Sequence, residues 1–374
     1  VSWTVRSIAS DRLIYYFYYV RGVMDVGLTS EQLELRHNAR DILRAACPPD
    51  AARQAMTDPQ CWRAPWKTLV DLGWTELAAS DCRDDFGSVE RALVLEECGR
   101  AIAPIPLLSS IDMAAGVLRG CGPAAKDVLS EIAAGVVATL AVQSPGHRLA
   151  RPPMVLQHGR LRGHAVAVPN LARAALIVTL AATADGPVAA VLRRGDAVTT
   201  RTMQSSDPAQ PLADLEVDAI PALIAPVASI ESVVTAPLLA VSADLVGVAD
   251  AVLQHAVEHA KSRHQFGVPI GGFQGIKHAL ADNYGSVERA RSLTYAAASH
   301  PAPDWTAAAL AKAAAADAAV RCATTAVQVY GAIAQTWEHH IHLYVRHAWQ
   351  GAAQLGDSRA LYHEVGRRFA GGPQ

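Results

Sequence analysis

The sequence predicts a mainly α-helical protein with a small β domain in its middle. Apolar residues recur every three or four positions up to about residue 135 and again from about residue 230. Between these stretches lie short runs rich in β-branched residues, broken by Gly, Pro, Asn and Asp. With 374 residues, 51% of them hydrophobic, the chain is long enough for two or three domains around a large core.

Residues 1–23 read as a disordered or adventitious extension, with Met24 as a natural start of the first domain. The apolar run "LIYYFYYV" (13–20) is far shorter than the roughly 20 residues that cross a bilayer, and no signal-peptide cleavage site follows it. No membrane span is expected. Residues 24–135 form the expected N-terminal helical domain. Thr29 and Gln32 fit a capping box, behind which Leu35, Ala39, Ile42, Leu43 and Ala46 share one helical face. Further helices are predicted at about 62–73, 87–101 and 107–119.

Residues 136–226 form the expected β domain, a small antiparallel barrel or sandwich. Its strands are "VVATLAVQ", "RLRGHAVAVP", "AALIVTLAA", "PVAAVLRR" and "AVTTRTM". Residues 227–374 return to helical spacing, with Leu239, Ser242, Val246, Ala249, Leu253, Ala256 and Ala260 on one face. Phe273, Ile276, Leu280, Tyr284 and Val287 repeat the pattern. A third helix runs from Asp304 as N-cap to Gly331 as C′ residue, and two more segments cover about 338–353 and 357–369. Long amphipathic helices with short connections imply an antiparallel four-helix bundle. The alanines of 306–326 allow close helix approach and suggest a face that also meets another subunit.

A net charge of −2 and a pI of 6.7, with no basic run, argue against a nucleic-acid partner. The six cysteines (Cys47, Cys61, Cys82, Cys98, Cys121, Cys322) form no CxxC pair and read as reduced thiols of a cytoplasmic protein.

The stretch "RHQFGVPIGGFQGIKHALAD" (263–282) interrupts two long helices with a cation, amides, a proline and two glycines. Those are the parts that hold an anion. Its Arg263, Gln265-Phe266-Gly267, Pro269-Ile270, Phe273-Gln274 and His278-x-Leu280-Ala281-Asp282 resemble the signature of the acyl-CoA dehydrogenase flavoprotein family. The segment "VQVYGAIAQTWEHHIHLYVRHA" (327–348) resembles the family's Gln-x-x-Gly-Gly loop, Glu-His pair and downstream Arg, and "LVLEECGRAIAPIPLL" (93–108) is a weaker match. The resemblance covers about residues 24–370. It implies an N-terminal helical domain, a middle β-barrel and a C-terminal four-helix bundle, with FAD gripped across a subunit boundary.

By that resemblance Arg263 serves the FAD pyrophosphate, Gln274 adds an amide at a helix start, and Gln328 and Gly331 lie on the adenine side. Gln265 and Phe266 belong to the same clamp. Taken alone, Arg263 would read as a cation capping a helix C-terminus.

The chain departs from the family where the chemistry is done. The family's base is a glutamate that takes the α proton of an acyl-CoA while flavin accepts the β hydride. The usual position, nine residues after the arginine matched by Arg346, is Leu355 here, and the alternative position falls at about Pro237. Asp357 is the nearest substitute, although its context also fits an N-cap. Asp244 lies seven residues beyond Pro237, about 10 Å along a helix. In "VQSPGHRLAR" (142–151) only Pro145 survives of a Thr-Glu-Pro motif, and the Gly-Ser-Asp that should follow is gone. The stretch 76–87 also lacks the family's Pro-Glu and glycine cluster, and Ala332 replaces the second glycine of the adenine loop. His339 and His342 could share a face, but nothing completes a metal set, and no metal is expected.

The erosion is one-sided: the clamp lent to a neighbour persists, while this chain's own ring and substrate motifs do not. The resemblance therefore implies a base-lacking subunit paired with a complete paralogue, as in actinobacterial enzymes acting on steroid or other bulky acyl-CoA side chains. Acyl-CoA is the implied substrate and an electron-transfer flavoprotein the implied acceptor. A homo-oligomeric dehydrogenase using Asp357 and a flavin-free scaffold stand as alternatives.

Overall fold

The computed structural model describes residues 27–48, 50–79, 87–195, 198–203 and 205–371. The extension 1–23, Cys82 and most of the 76–87 stretch lie outside the described residues. The fold has a helical N-terminal part, a β sheet in the middle and a C-terminal set of long helices, in the order the sequence predicts.

The first part comprises α1 (Ser30–Ala46), α2 (Arg63–Asp71), α3 (Ser88–Ala101), α4 (Ala115–Arg119) and α5 (Lys126–Ala133), with a single turn at Ala51–Gln54. The Thr29–Gln32 capping box is present, with Thr29 Oγ1 accepting from the Gln32 amide at 3.2 Å. The predicted 107–119 helix is less regular than its spacing suggests. Leu108–Ala114 is a fully buried π-helix that runs into α4. There the Ser110 hydroxyl accepts from the Ala138 amide and donates to the Ala138 carbonyl, both at 3.1 Å, which ties the π-helix to the start of the sheet.

The sheet has eight strands: β1 (Ala138–Ala141), β2 (Met154–Gln157), β3 (Arg160–Pro169), β4 (Leu176–Thr183), β5 (Gly186–Arg193), β6 (Val198–Thr202), β7 (Leu212–Ala219) and β8 (Leu223–Pro226). Its order is β6-β7-β3-β2-β4-β5-β8, with β1 beside β4. The expectation of purely antiparallel pairing is corrected, because β1 and β2 both pair parallel to β4. Parallel neighbours need a long crossover, and the loop and hairpin between β1 and β4 supply it.

The C-terminal part holds α6 (Ile230–Ser262), α7 (Gln274–Ser299), α8 (Trp305–Tyr330), α9 (Ile341–Ala353) and α10 (Ser358–Gly371). Every residue of the predicted α6 stripe from Leu239 to Ala260 is buried. By length and composition α6 could cross a membrane, but 89% of its most apolar window is buried inside the fold, as in a core helix. Helix α8 begins and ends as read: Asp304 accepts from the Ala307 amide at 2.7 Å, and Gly331 takes φ 68°. All of its alanines except Ala307 are buried within this chain against its own helices. The α7 stripe is different. Val287 is buried, but Phe273 and Tyr284 are exposed, so the first turns of α7 leave an apolar strip uncovered.

Helices α3 and α6 cross in direct backbone contact. A Cβ on Gly99 would lie 2.0 Å from the Asp244 carbonyl oxygen, and one on Gly247 only 1.8 Å from that of Glu96. Only glycine permits this approach. Around the crossing, Glu96 receives Arg291 at 3.1 Å and the Tyr295 hydroxyl at 2.7 Å, while Asp250 pairs with Arg100. This ionic seam joins α3, α6 and α7.

Candidate functional site

The 263–282 stretch folds into a hairpin and a helix start. Strands β9 (His264–Gln265) and β10 (Val268–Pro269) pair antiparallel around a two-residue turn of Phe266 and Gly267. Both turn residues have positive φ, 54° and 81°, as the tight hairpin turn demands. The Phe266 ring is 93% exposed, with the Phe273 ring edge-on at 6.2 Å. Arg263 ends α6 and is exposed, with no carboxylate partner among the described residues. Its carbonyl accepts from the Ile270 amide at 2.8 Å, which closes the base of the hairpin.

Gln274 is the first residue of α7, and its N-cap Phe273 offers no side-chain oxygen to the free amides. Ile276 and Lys277 donate their amides to the Phe273 carbonyl at 3.1 and 3.0 Å, while the Gln274 and Gly275 amides that open this 26-residue helix have no backbone partner among the described residues. Added Cβ atoms on Gly272 and Gly275 would meet nothing within 4 Å, so space for a bound group is open. The residues fit an anionic group such as a pyrophosphate.

Gln328 sits apart from this platform. It lines a groove of about 940 Å³ with Thr325, Trp337, His342, Arg346 and Trp349. The structure thus gathers Arg263, Gln265, Phe266 and Gln274 at one end, with Gln328 in the groove and Gly331 at the end of α8.

The groove shares Ser206 and Trp349 with a second, largely apolar cavity of about 390 Å³. This chamber lies between the π-helix, β1, β3 and the end of α9, and Met113, Leu140, Val142 and Leu355 form part of its wall. Its polar wall residues are Gln143, Ser205, Ser206, Gln350 and Gln354, and no Asp, Glu or His is among the described ones. Leu355 occupies the expected base position, almost fully buried and in the left-handed region at φ 57°. Pro237 is buried inside α6.

Asp357 does not line the chamber. Its Oδ1 accepts from the Ala360 amide at 2.8 Å, which makes it the N-cap of α10, and its Oδ2 lies 3.5 Å from Arg148. Asp244 is buried and held by His347. His347 lies between two carboxylates, Nδ1 2.7 Å from Asp207 and Nε2 2.8 Å from Asp244. Burial alone would lower the imidazole, but Asp244 and Asp207 raise it well above its ordinary range. Flanked by both carboxylates, its ring joins α9 to α6 and to the loop before β7.

Sequence reasoning missed Lys312. Its side chain is fully buried in α8, and Nζ donates to the carbonyls of Ala352 at 2.6 Å and Gly356 at 2.5 Å. These bonds satisfy the end of α9 and fix the loop that carries Leu355. Burial pulls the ammonium down to about 7, against the attraction of Asp357 and Asp317. The signal was present as a single lysine in the alanine run "AALAKAAAADAA".

Between α6 and the segment that joins α8 to α9 lies a set of histidines. His259 stacks on Tyr330 at 4.0 Å, Tyr330 meets His339 at 4.6 Å, His339 stacks on His340 at 4.7 Å, and His340 meets His255 at 4.6 Å. Burial first, and neighbouring cations second, lower all four, His340 to about 4. Among the described residues no group of His, Cys, Asp and Glu could hold a metal ion.

The model of the acyl-CoA dehydrogenase N-terminal domain matches residues 29–144, and that of the C-terminal domain matches residues 238–368. Acyl-CoA dehydrogenase IpdE2 of Mycobacterium tuberculosis is 30% identical over 332 residues, spanning 88% of this chain and 93% of that protein. A chain of the ChsE4-ChsE5 complex from Mycobacterium tuberculosis superposes with a TM-score of 0.84 at 26% identity, covering 94% of this chain and 100% of that one. A chain of a Tcur3481-Tcur3483 steroid ACAD variant gives 0.83 at 25% identity, over 91% of this chain and 98% of its own.

Proposed function

Since the chain belongs to the acyl-CoA dehydrogenase family, we propose that it is the base-lacking subunit of a hetero-oligomeric flavoprotein that α,β-dehydrogenates an acyl-CoA thioester. One observation carries this reading. The described wall of the apolar chamber holds no group able to take a proton from carbon, and Leu355 stands where the base belongs. The partner is a paralogue that supplies the base. Likeness to chains of a two-component complex and of a steroid ACAD supports both the pairing and a bulky acyl group.

FAD, when bound, would supply the hydride acceptor, with an electron-transfer flavoprotein as the onward acceptor in the cytoplasm. This chain's contribution is the clamp. Arg263 meets the pyrophosphate charge, and the free amides at the start of α7, with Gln274, add donors to it. Gln265 and Phe266 present the hairpin edge, and Gln328 and Gly331 border the adenine side. The clamp residues are exposed and uncovered, which suits groups that work across a subunit boundary.

Co-expression with the paralogue tests the reading. Arg263→Ala should lower FAD retained per complex about tenfold or more, since a charge-assisted contact contributes roughly 1.5–3 kcal/mol. Thermal stability should change little, because the residue is exposed. The chain alone should give little turnover in a dye-reduction assay, as a missing base costs about 10²–10⁴-fold. Unchanged flavin content in the Arg263 variant would remove the clamp and favour a flavin-free scaffold. Robust turnover by the chain alone would remove the base-lacking assignment.

A further inference from the structure

A third cavity, of about 460 Å³, lies between the 149–152 loop, the start of α6 and α10. Its floor is apolar, with Leu149, Val234, Leu238 and Leu355, and its rim is charged. Arg368 pairs with Glu231 at 3.1 Å and Arg367 with Glu364 at 2.7 Å, while Arg151 has no carboxylate partner among the described residues. Three arginines against two carboxylates leave one positive charge over an apolar floor.

Leu355 is the one described residue common to the walls of this cavity and of the apolar chamber. It is also held still. Lys312 ties the carbonyls on both sides of it, at Ala352 and Gly356. A Cβ on Gly356 would come within 2.8 Å of Leu149, and Asp357 caps the next helix. Its left-handed backbone is one that only glycine adopts freely.

We propose that Leu355 is a fixed partition between these two cavities, and so sets which acyl chains this subunit can take. An acyl chain with an anionic head can seat its head at Arg151, whose charge no carboxylate among the described residues offsets, but its tail stops at Leu355. Without that side chain the tail runs on into the apolar chamber. The inference rests on the acyl-thioester reading, but its readout is binding rather than flavin content, so the two can fail separately.

The test is isothermal titration of the full chain with dodecanoyl-CoA and, separately, with dodecanoate, using wild type, Leu355→Gly, Leu355→Ala and Leu355→Phe. The Gly and Ala variants should bind dodecanoyl-CoA about tenfold tighter, the gain from burying about two more methylene groups. The Phe variant should match wild type. An equal gain with dodecanoate would identify a simple carboxylate head as sufficient, and a gain with the thioester alone would assign the rim to coenzyme A. Equal affinity of wild type, Gly and Ala for both probes would overturn the proposal. So would loss of folded protein, read by circular dichroism, in both the Gly and the Ala variant, because Leu355 would then be a packing residue.

Discussion

The Nε2 atom of His347 lies 2.8 Å from a carboxylate oxygen of Asp244, and both side chains are buried. With Asp207 on the other ring nitrogen, one imidazole holds α9, α6 and the loop before β7 together. Replacing it strands two carboxylates. His347→Gln should therefore destabilise the protein by about 3–5 kcal/mol in denaturant melts. The folded imidazole is raised, so its stabilisation is full below about pH 6.5 and fades as pH climbs through the folded value. Wild type should lose more stability than the variant as the buffer moves from neutral to alkaline. Parallel pH profiles for the two proteins would refute the ion pair.

The histidines between α6 and the segment that joins α8 to α9 have the opposite sign. Burial depresses His255, His259, His339 and His340, so the fold favours their neutral forms. Their contribution is full above about pH 6.5 and is lost as pH falls toward the value of about 4 for His340. Nε2 of His340 is buried with no hydrogen-bond partner among the described residues, so His340→Phe removes a titrating group without breaking a bond at that atom. Thermal melts between these limits should show a shallower acid decline for the variant. A decline as steep as in wild type would assign the acid sensitivity elsewhere.

Phe266 combines a strained backbone with an exposed ring. Asn accepts the left-handed conformation more readily. Phe266→Asn should leave the melting temperature of the single chain unchanged or slightly higher. If the ring anchors the partner, the same change should weaken the hetero-complex by about 2 kcal/mol or more, read by sedimentation. A complex of unchanged affinity would place the partner elsewhere.

The limits of the α8 helix were legible because each end carries its own signal, an Asp cap and a left-handed glycine. The break between α6 and α7 was legible from Pro269 and the two glycines, but the hairpin that turns at Phe266-Gly267 was not. Strand β7 was not read, although Ala213, Leu215, Val217 and Ala219 alternate inward. The intervening Asp214, Glu216 and Asp218 made the run look like a loop. Parallel pairing of β1 and β2 with β4 leaves no mark on any one strand, since partners across a crossover are chosen by the fold. Lys312 and His347 were opaque as structural groups because what satisfies them lies 40 to more than 100 positions away.

Gln350 receives Ser205 Oγ at 2.7 Å and the Asp207 amide at 3.2 Å on its carbonyl oxygen, and gives its amide to the Gln210 carbonyl at 2.6 Å. The sheet loop it fastens is about 140 residues older in the growing chain. On the ribosome the strands emerge first and wait with that loop unfastened for about 7–28 seconds, at about 5–20 residues per second. The same loop borders the groove and the chamber, so both cavities are completed only after α9 has been made. A stalled or truncated chain would thus display the sheet without the α9 wall of either cavity.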